Sequence, residues 1–227
     1  MTTTSDPNLQ SASTLPDVDS GGARAGWAAT LLSAFAFLFS GLSFYETTLK
    51  QSDLRIYVTD TISYTRDPWG SYDVLAVPLT ISNGGARDGA VITLAVEVKN
   101  VGTGESETFT SAYFADAQYF GAVEDVAKRI KRPKQPFAPI AVPGRGSYSG
   151  TILFYPATAR EKKLIEPKSK VELTIKVLTP APSGWLERTL GRAPERVSLK
   201  ADVPNFLPGA MYAGDVVRLR VSAHSRQ

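Results

Sequence analysis

Residues Ala25 to Tyr45 read AGWAATLLSAFAFLFSGLSFY and contain no charged side chain. As an α-helix this run would be about 31 Å long, which matches the roughly 30 Å hydrocarbon core of a bilayer. Trp27 near its start and Phe44 at its end are aromatic residues of the kind that favours the membrane–water boundary. With the helix continuing for about a turn, the sequence predicts a single transmembrane anchor over residues 25–49.

Two other interpretations compete with an uncleaved anchor: a cleaved signal peptide and the core helix of a soluble protein. A signal peptide begins with a basic segment and has an apolar core of about 7–15 residues. Here the preceding tail holds three aspartates against one arginine and the run is longer, although Gly41 and Ser43 offer a weak cleavage site. A buried helix would normally carry polar positions along one side. The uncleaved anchor is therefore favoured, and residues 25–45 are predicted to lie in the membrane.

The orientation of the anchor is decided by positive charge near its ends. Arg24 on one side nearly balances Lys50 and Arg55 on the other, which slightly favours a cytoplasmic C-terminal domain. A short tail before a long β-rich domain is instead typical of signal-anchor proteins that export the domain. We expect a single-pass membrane protein whose β-domain is periplasmic.

Composition divides the rest of the 227-residue chain into a tail and one domain. Residues 1–24 are rich in Ser, Thr, Asp and Gly, so disorder is predicted there; residues 53–222 are predicted to fold, and residues 223–227 form a second tail. A net charge of +3 is too mild to indicate a nucleic-acid partner, and the absence of cysteine excludes disulfides and thiolate metal sites.

Alternating apolar residues predict about eight strands with turn signals between them. The predicted strands cover residues 53–60, 74–82, 90–99, 107–114, 147–155, 171–178, 195–203 and 215–222. This pattern favours an all-β fold, an antiparallel immunoglobulin-like β-sandwich, with a closed barrel as the alternative. Pro78 lacks a backbone donor and predicts an edge or a bulge. One core is expected to contain Leu79, Ile81, Leu94, Val96, Ile152, Phe154, Leu173 and Ile175.

Three segments carry a resemblance to known proteins: SFYETTLKQSDLRIYV, VLAVPLTISNGGARDGAV and PFAPIAVPGRGSYSGTILFYP. Together they resemble a group of uncharacterised bacterial proteins in which an N-terminal transmembrane anchor leads directly into an Ig-like β-sandwich. The resemblance covers roughly Trp27 to Leu178. It implies the fold and an exported domain, and it assigns no activity to any residue.

Few residues suit catalysis or metal binding. The single histidine, His224, lies in the C-terminal tail, so no nucleophile–base pair is indicated. The acids Asp116, Glu124 and Asp125 fit a solvated stretch better than a carboxylate pair, and no calcium-loop pattern joins Asp67, Asp88 and Asp116. We therefore predict no catalytic residue, no metal site and no cofactor.

Two irregular inserts, residues 115–143 and 179–193, hold the features that fit a contact surface. The first contains a basic cluster suited to anionic lipid or an acidic partner, and the second contains one helical turn around Trp185. The predicted lipid or partner contacts are Lys128, Arg129, Lys131, Arg132, Lys134 and Trp185.

The sequence is thus best interpreted as a non-catalytic, membrane-tethered module that binds or scaffolds an envelope protein. Two alternatives stay open: a cytoplasm-facing tether whose basic loop contacts lipid or an acidic partner, and an enzyme with an unrecognised site. The sequence does not indicate the oligomeric state.

Overall fold

The computed structural model describes residues 21–66, 72–115, 135–157, 163–181, 185–190, 196–211 and 216–223. The chain divides into two compact units, residues 1–45 and residues 46–227. The predicted tails at residues 1–20 and 224–227 lie outside the described residues.

The N-terminal unit contains one helix, α1 (Gly21–Phe44), which passes into a π-helical turn at Tyr45–Leu49. Its segment Gly26–Leu49 has 24 residues and a mean hydropathy of 1.6, enough to cross a membrane by length and composition. Leu32 and Phe37 lie roughly 140° apart around an ideal helix, and both are largely exposed. Apolar side chains on more than one side of a helix suit lipid better than a one-sided protein contact. This helix fits a membrane anchor or a signal sequence.

In the residues that the structure describes, the second unit is built from strands with two short α-helices. The strands are β1 (Leu54–Val58), β2 (Thr61–Arg66), β3 (Asp73–Asn83), β4 (Gly89–Val91), β5 (Thr93–Asn100), β6 (Ser106–Ala115), β7 (Gln135–Pro136), β8 (Ile140–Val142), β9 (Ser147–Pro156), β10 (Lys170–Leu178), β11 (Val197–Asp202) and β12 (Val217–Ala223). The helices are α2 (Trp185–Leu190) and α3 (Pro208–Met211).

Eight of these strands close into an antiparallel β-barrel in the order β2–β3–β9–β6–β5–β10–β11–β12, with β12 pairing back to β2. The prediction of an immunoglobulin-like β-sandwich was therefore wrong, and the closed barrel is correct. The physical reason lies in β6 and β9, which join what would have been two separate sheets: β6 pairs with β5 and β9, and β9 pairs with β6 and β3.

A β-bulge makes this closure feasible. In the pairing of β6 with β9 the register shifts between Ser111 and Tyr113, so one residue of β6 is extra. Bulges bend a strand and increase its twist, which allows one strand to serve two neighbours at a barrel corner. The extra residue also reverses the side-chain phase, so Phe109 and Phe114 both pack with the core although they are an odd number apart.

Pro78 lies at a point of β3 where a backbone N–H would have no partner in the strand ladder. The first half of β3 pairs with β2 and the second half pairs with β1 along the same edge. Between those two pairings the N–H of Thr59 donates to the carbonyl oxygen of Pro78 at 3.4 Å. Because β1 and β2 are interrupted at this point, no ladder hydrogen bond is needed from Pro78.

The barrel interior is filled by side chains, as eight-stranded barrels allow. All eight predicted core residues lie in one buried cluster, so that prediction is confirmed. Alternation along a strand buries the same residues in a sandwich and in a barrel, which is why the core was predictable although the sheet arrangement was not. A smaller cluster of Val74, Ala76 and Leu153 is buried on the other face of β3 and β9.

The structure departs locally from the predicted strand ranges. Residues 61–66 lie outside them, but β2 begins at Thr61 with Ile62 and Tyr64 buried. Ile92 lies within the predicted strand 90–99, but it is exposed because β4 ends before it and pairs with β8 instead. Leu164 and Ile165 lie between two predicted strands, and both are buried.

Candidate functional site

Strand β3 begins and ends in a buried polar cluster. Its first residue, Asp73, lies beside Tyr64 and Arg66, and we call these three residues the Asp73 cluster. Its last residue, Asn83, binds the segment through which the chain enters the barrel, and we call Asn83 with its partners the Asn83 cluster. Within the described part of the chain, every buried side-chain nitrogen and oxygen has a hydrogen-bond partner.

The Asn83 amide uses both its donors and both its acceptor positions. Its Oδ1 accepts from the N–H of Asp53 at 3.1 Å and from the N–H of Gly85 at 2.9 Å. Its Nδ2 donates to the carbonyl oxygens of Arg87 at 2.8 Å and Val142 at 3.2 Å. The neutral Asn83 side chain thus provides hydrogen-bond partners for four backbone groups that would otherwise need water.

The entry segment Lys50–Asp53 is held by backbone hydrogen bonds as well. The N–H groups of Ala86 and Arg87 donate to the carbonyl oxygen of Lys50 at 3.0 and 3.2 Å. The N–H of Gly84 donates to the carbonyl oxygen of Asp53 at 2.9 Å. The four residues that follow the π-helical turn therefore have little freedom relative to the barrel.

Two glycines permit these close approaches. A Cβ atom on Gly85 would collide with the carbonyl oxygen of Gln51, and a Cβ atom on Gly144 would collide with that of Ala86. At the neighbouring Gly84 the nearest atom to such a Cβ is Asp53 Oδ2 at 3.3 Å, which is tight without being a collision. The side chain of Arg145 adds a hydrogen bond from Nη2 to the carbonyl oxygen of Glu46 at 2.7 Å.

The Asp73 cluster is charged. The Tyr64 hydroxyl donates to Asp73 Oδ1 at 2.9 Å, and Arg66 Nε donates to the Tyr64 hydroxyl oxygen at 3.2 Å. Arg66 Nε also lies 3.6 Å from Asp73 Oδ1. The side chains of Arg66 and Asp73 are 6% and 5% exposed, so this ion pair is removed from water.

Burial dominates the acid–base properties of this cluster. It raises the pKa of the Asp73 carboxyl above its ordinary value of 3.8, although Tyr64, Lys163, Arg66 and the backbone of Leu164 all favour the carboxylate. Burial, and then the negative charge of Asp73, raise the pKa of the Tyr64 hydroxyl. Tyr64 is therefore a protonated donor at neutral pH, and the buried polar atoms of the cluster all have hydrogen-bond partners.

The predicted contact residues fall in two groups. Lys128, Arg129, Lys131, Arg132 and Lys134 lie outside the described residues. Trp185 is described: it begins α2 and its side chain is 73% exposed. The helical turn predicted around it is confirmed, and its role as a contact stays a prediction.

The other residues weighed for chemistry give no assembled site. Asp67, Asp116, Glu124, Asp125 and His224 lie outside the described residues. Asp88 accepts a hydrogen bond from the N–H of Gly144 at 3.0 Å, which is a loop contact. Among the residues that the structure describes, no group of three or more His, Asp or Glu side chains is placed to hold a metal ion.

Sequence reasoning missed both polar clusters. Asn83 lies between two predicted strands, and two of its partners come from the distant positions 53 and 142. The alternation of Ile62, Tyr64 and Arg66 was the signal that could have extended the first strand and placed Arg66 on an inward face. The three segments that carry the family resemblance supply Lys50–Asp53, residues 83–89 and residues 142–146, and these meet at the Asn83 cluster.

Comparisons with known proteins do not assign this chain to a family. No protein-family model matches the chain, and no curated protein matches it. One solved structure that matches is a crystal structure of a protein assigned as ApaA from Bordetella pertussis. It is 17% identical, the match covers 57% of this chain and 82% of that one, and the TM-score is 0.30. A likeness at this level carries no argument.

Proposed function

We propose that the protein is a membrane-tethered β-barrel that binds or scaffolds a partner in the bacterial envelope, without catalysis of its own. The observation that carries the proposal is the entry segment Lys50–Asp53. It joins an apolar helix to β1 directly and is fixed by the Asn83 cluster and by the backbone of residues 84–87. With α1 in a bilayer, such a segment holds the barrel at the membrane surface.

Three further observations support a role in binding. The barrel interior is occupied by side chains, so its surface is what it offers to other molecules. The Asp73 cluster contains the most strongly buried ionic groups that the structure describes, and its buried polar atoms all have hydrogen-bond partners. Trp185 is an exposed aromatic of the kind that anchors protein contacts.

Membrane attachment is tested by flotation and alkaline extraction of the full-length chain. Leu32→Arg with Phe37→Arg should release it from membranes, because each arginine at a helix centre costs about 2.5–3.5 kcal/mol on insertion scales. The matched control places two arginines at exposed apolar positions of the second unit, Val101→Arg with Leu207→Arg, and should leave the protein in the membrane. A soluble wild-type protein would overturn the tether.

The periplasmic orientation is tested with single cysteines, since the chain has none of its own. Thr103→Cys lies in the exposed β5–β6 turn. It should react with a membrane-impermeant maleimide in intact spheroplasts. Reaction only after lysis would place the barrel in the cytoplasm.

Partner binding is tested by a photo-crosslinking amino acid at position 185 in the full-length protein in cells. A discrete protein adduct is expected there. The control position is Leu207, which is 77% exposed, and it should give no such adduct. Equal adducts at both positions, or none at Trp185, would discard Trp185 as a contact, and turnover of a glycan or ester by the purified protein would discard the non-catalytic role.

A further inference from the structure

The strand directions bring the ends of β3, β6 and β10 and the start of β9 to one end of the barrel. Strand β3 ends at Asn83, and its neighbour β9 begins at Ser147, with Ser82 opposite Ser147. Strand β6 is antiparallel to β9 and so runs toward this same end, which it approaches at Ala115. Strand β10 also ends here at Leu178, opposite Thr93. We call this the junction end, because the entry segment reaches the barrel here.

Exposed arginines lie at the junction end. Arg87 follows β3, Arg145 precedes β9 and Arg196 precedes β11, and all three are exposed. Among the described residues, none of the three forms an ion pair. By contrast, Lys50 pairs with Glu46 and Arg55 pairs with Asp53. The guanidinium groups of the three arginines therefore have charge to offer to an external anion.

Exposed apolar residues lie at the same end of the barrel. Ile92 and Leu178 are 41% and 56% exposed, and the N–H of Ile92 donates to the carbonyl oxygen of Leu178 at 2.8 Å. One barrel end that presents both exposed arginines and an exposed apolar pair suits the membrane–water interface, where anionic headgroups lie just above the acyl chains.

The junction end also lies close to the end of the apolar helix along the chain. The N–H of Arg87 donates to the carbonyl oxygen of Lys50, the residue after Leu49, where the apolar segment ends. The Arg145 side chain donates to the carbonyl oxygen of Glu46, inside the π-helical turn. If α1 spans a bilayer, both arginines are within a few residues of its surface.

We propose that the junction end is a contact surface for anionic phospholipid headgroups, with Arg87, Arg145 and Arg196 binding phosphates and Ile92 and Leu178 entering the interface. This proposal rests on the tether proposed above. Charge complementarity and the distance along the chain select lipid as the occupant. The contact orients the barrel with the junction end against the membrane and with the β5–β6 turn away from it.

The test uses the full-length protein in nanodiscs with a nickel-chelating lipid and a spin label on an introduced cysteine. Ser147→Cys labels the junction end and Thr103→Cys labels the opposite end. Because β9 has 10 residues and a strand rises about 3.3 Å per residue, the two labels should differ by about 20 Å or more in distance from the headgroups. Strong relaxation by nickel is expected for the Ser147 label and little for the Thr103 label.

Charge dependence sharpens the test. Arg87→Gln with Arg145→Gln should weaken the Ser147 relaxation in nanodiscs that contain phosphatidylglycerol, by about fivefold in the surface-bound population for each arginine. The control Arg218→Gln with Arg220→Gln removes the same charge from exposed positions on β12 and should change nothing. Equal relaxation of the two labels, or the same effect from both charge variants, would overturn the headgroup contact while leaving the tether intact. Failure to enter nanodiscs would overturn the tether itself.

Discussion

At one end of β3 the neutral Asn83 binds four backbone groups, and at the other end Asp73 meets the buried Arg66 and Tyr64 as an ion pair beside a phenol. Both clusters are buried and both are satisfied. The first joins the entry segment to two loops, and the second joins the ends of two neighbouring strands. The difference teaches that Asn83 holds the entry segment without a buried charge, so salt and pH should affect the hydrogen bonds of the Asn83 cluster little.

The charged cluster should produce the largest loss when one partner is removed. Asp73→Ala removes the carboxylate beside the buried Arg66 guanidinium and is expected to lower the free energy of unfolding by about 3–5 kcal/mol. Chemical denaturation measures this. The paired change Asp73→Leu with Arg66→Met removes both charges and should recover most of the loss. A loss below about 1 kcal/mol for Asp73→Ala would show that the buried Arg66 guanidinium does not depend on the Asp73 carboxylate.

The neutral cluster should give the next largest effect. Asn83→Ala orphans the N–H groups of Asp53 and Gly85 and two carbonyl oxygens, and about 2–3 kcal/mol of stability should be lost. Asn100 is the matched control: it is equally buried and caps the β5–β6 turn through Gly102 and Thr103. Asn100→Ala should lower stability similarly, and only Asn83→Ala should speed amide exchange at Ala86. Equal exchange in both variants would contradict a local role for Asn83.

Glycine packing should give a smaller and more selective effect. Gly85→Ala forces the chain away from Gln51 and should cost about 1–3 kcal/mol, the usual range for overpacking. Gly84→Ala meets only the flexible end of the Asp53 side chain and should cost less. Thermal unfolding of the two variants side by side measures the difference. If Gly84→Ala were the more damaging, the close approach of residues 51 and 85 would be wrong.

The smallest effect is a pH dependence confined to the charged cluster. The folded-state pKa of Asp73 is raised above 3.8, so the folded protein binds the Asp73 proton more tightly than the unfolded chain does. The stability that this proton contributes is fully present below pH 3.8 and is lost as pH rises through the folded-state pKa. Relative to Asp73→Asn, the wild-type free energy of unfolding should therefore fall with rising pH in that window, by at most about 1.4 kcal/mol per pH unit. The loss caused by Asn83→Ala should stay constant over the same range. A pH-dependent Asn83→Ala would contradict the contrast between the clusters.

The sequence was sufficient for the apolar N-terminal helix, for most of the long strands and for the core, because apolar alternation does not depend on which strands meet. It was insufficient for closure, which depends on the bulge after Ser111 and on β6 serving two neighbours. Both polar clusters were missed for a related reason. The partners of Asn83 lie as far away as Val142. Arg66 lies outside the predicted strands, although it faces Asp73 across a strand pair.

The central claim is that the entry segment is fixed to the barrel, and amide exchange at Ala86 and Arg87 tests it most directly. Both N–H groups donate to the carbonyl oxygen of Lys50. In the full-length protein in nanodiscs, these two amides should exchange as slowly as amides in the barrel strands. Exchange as fast as that of an exposed loop amide would show a loose linker, and it would contradict a barrel held at the membrane surface.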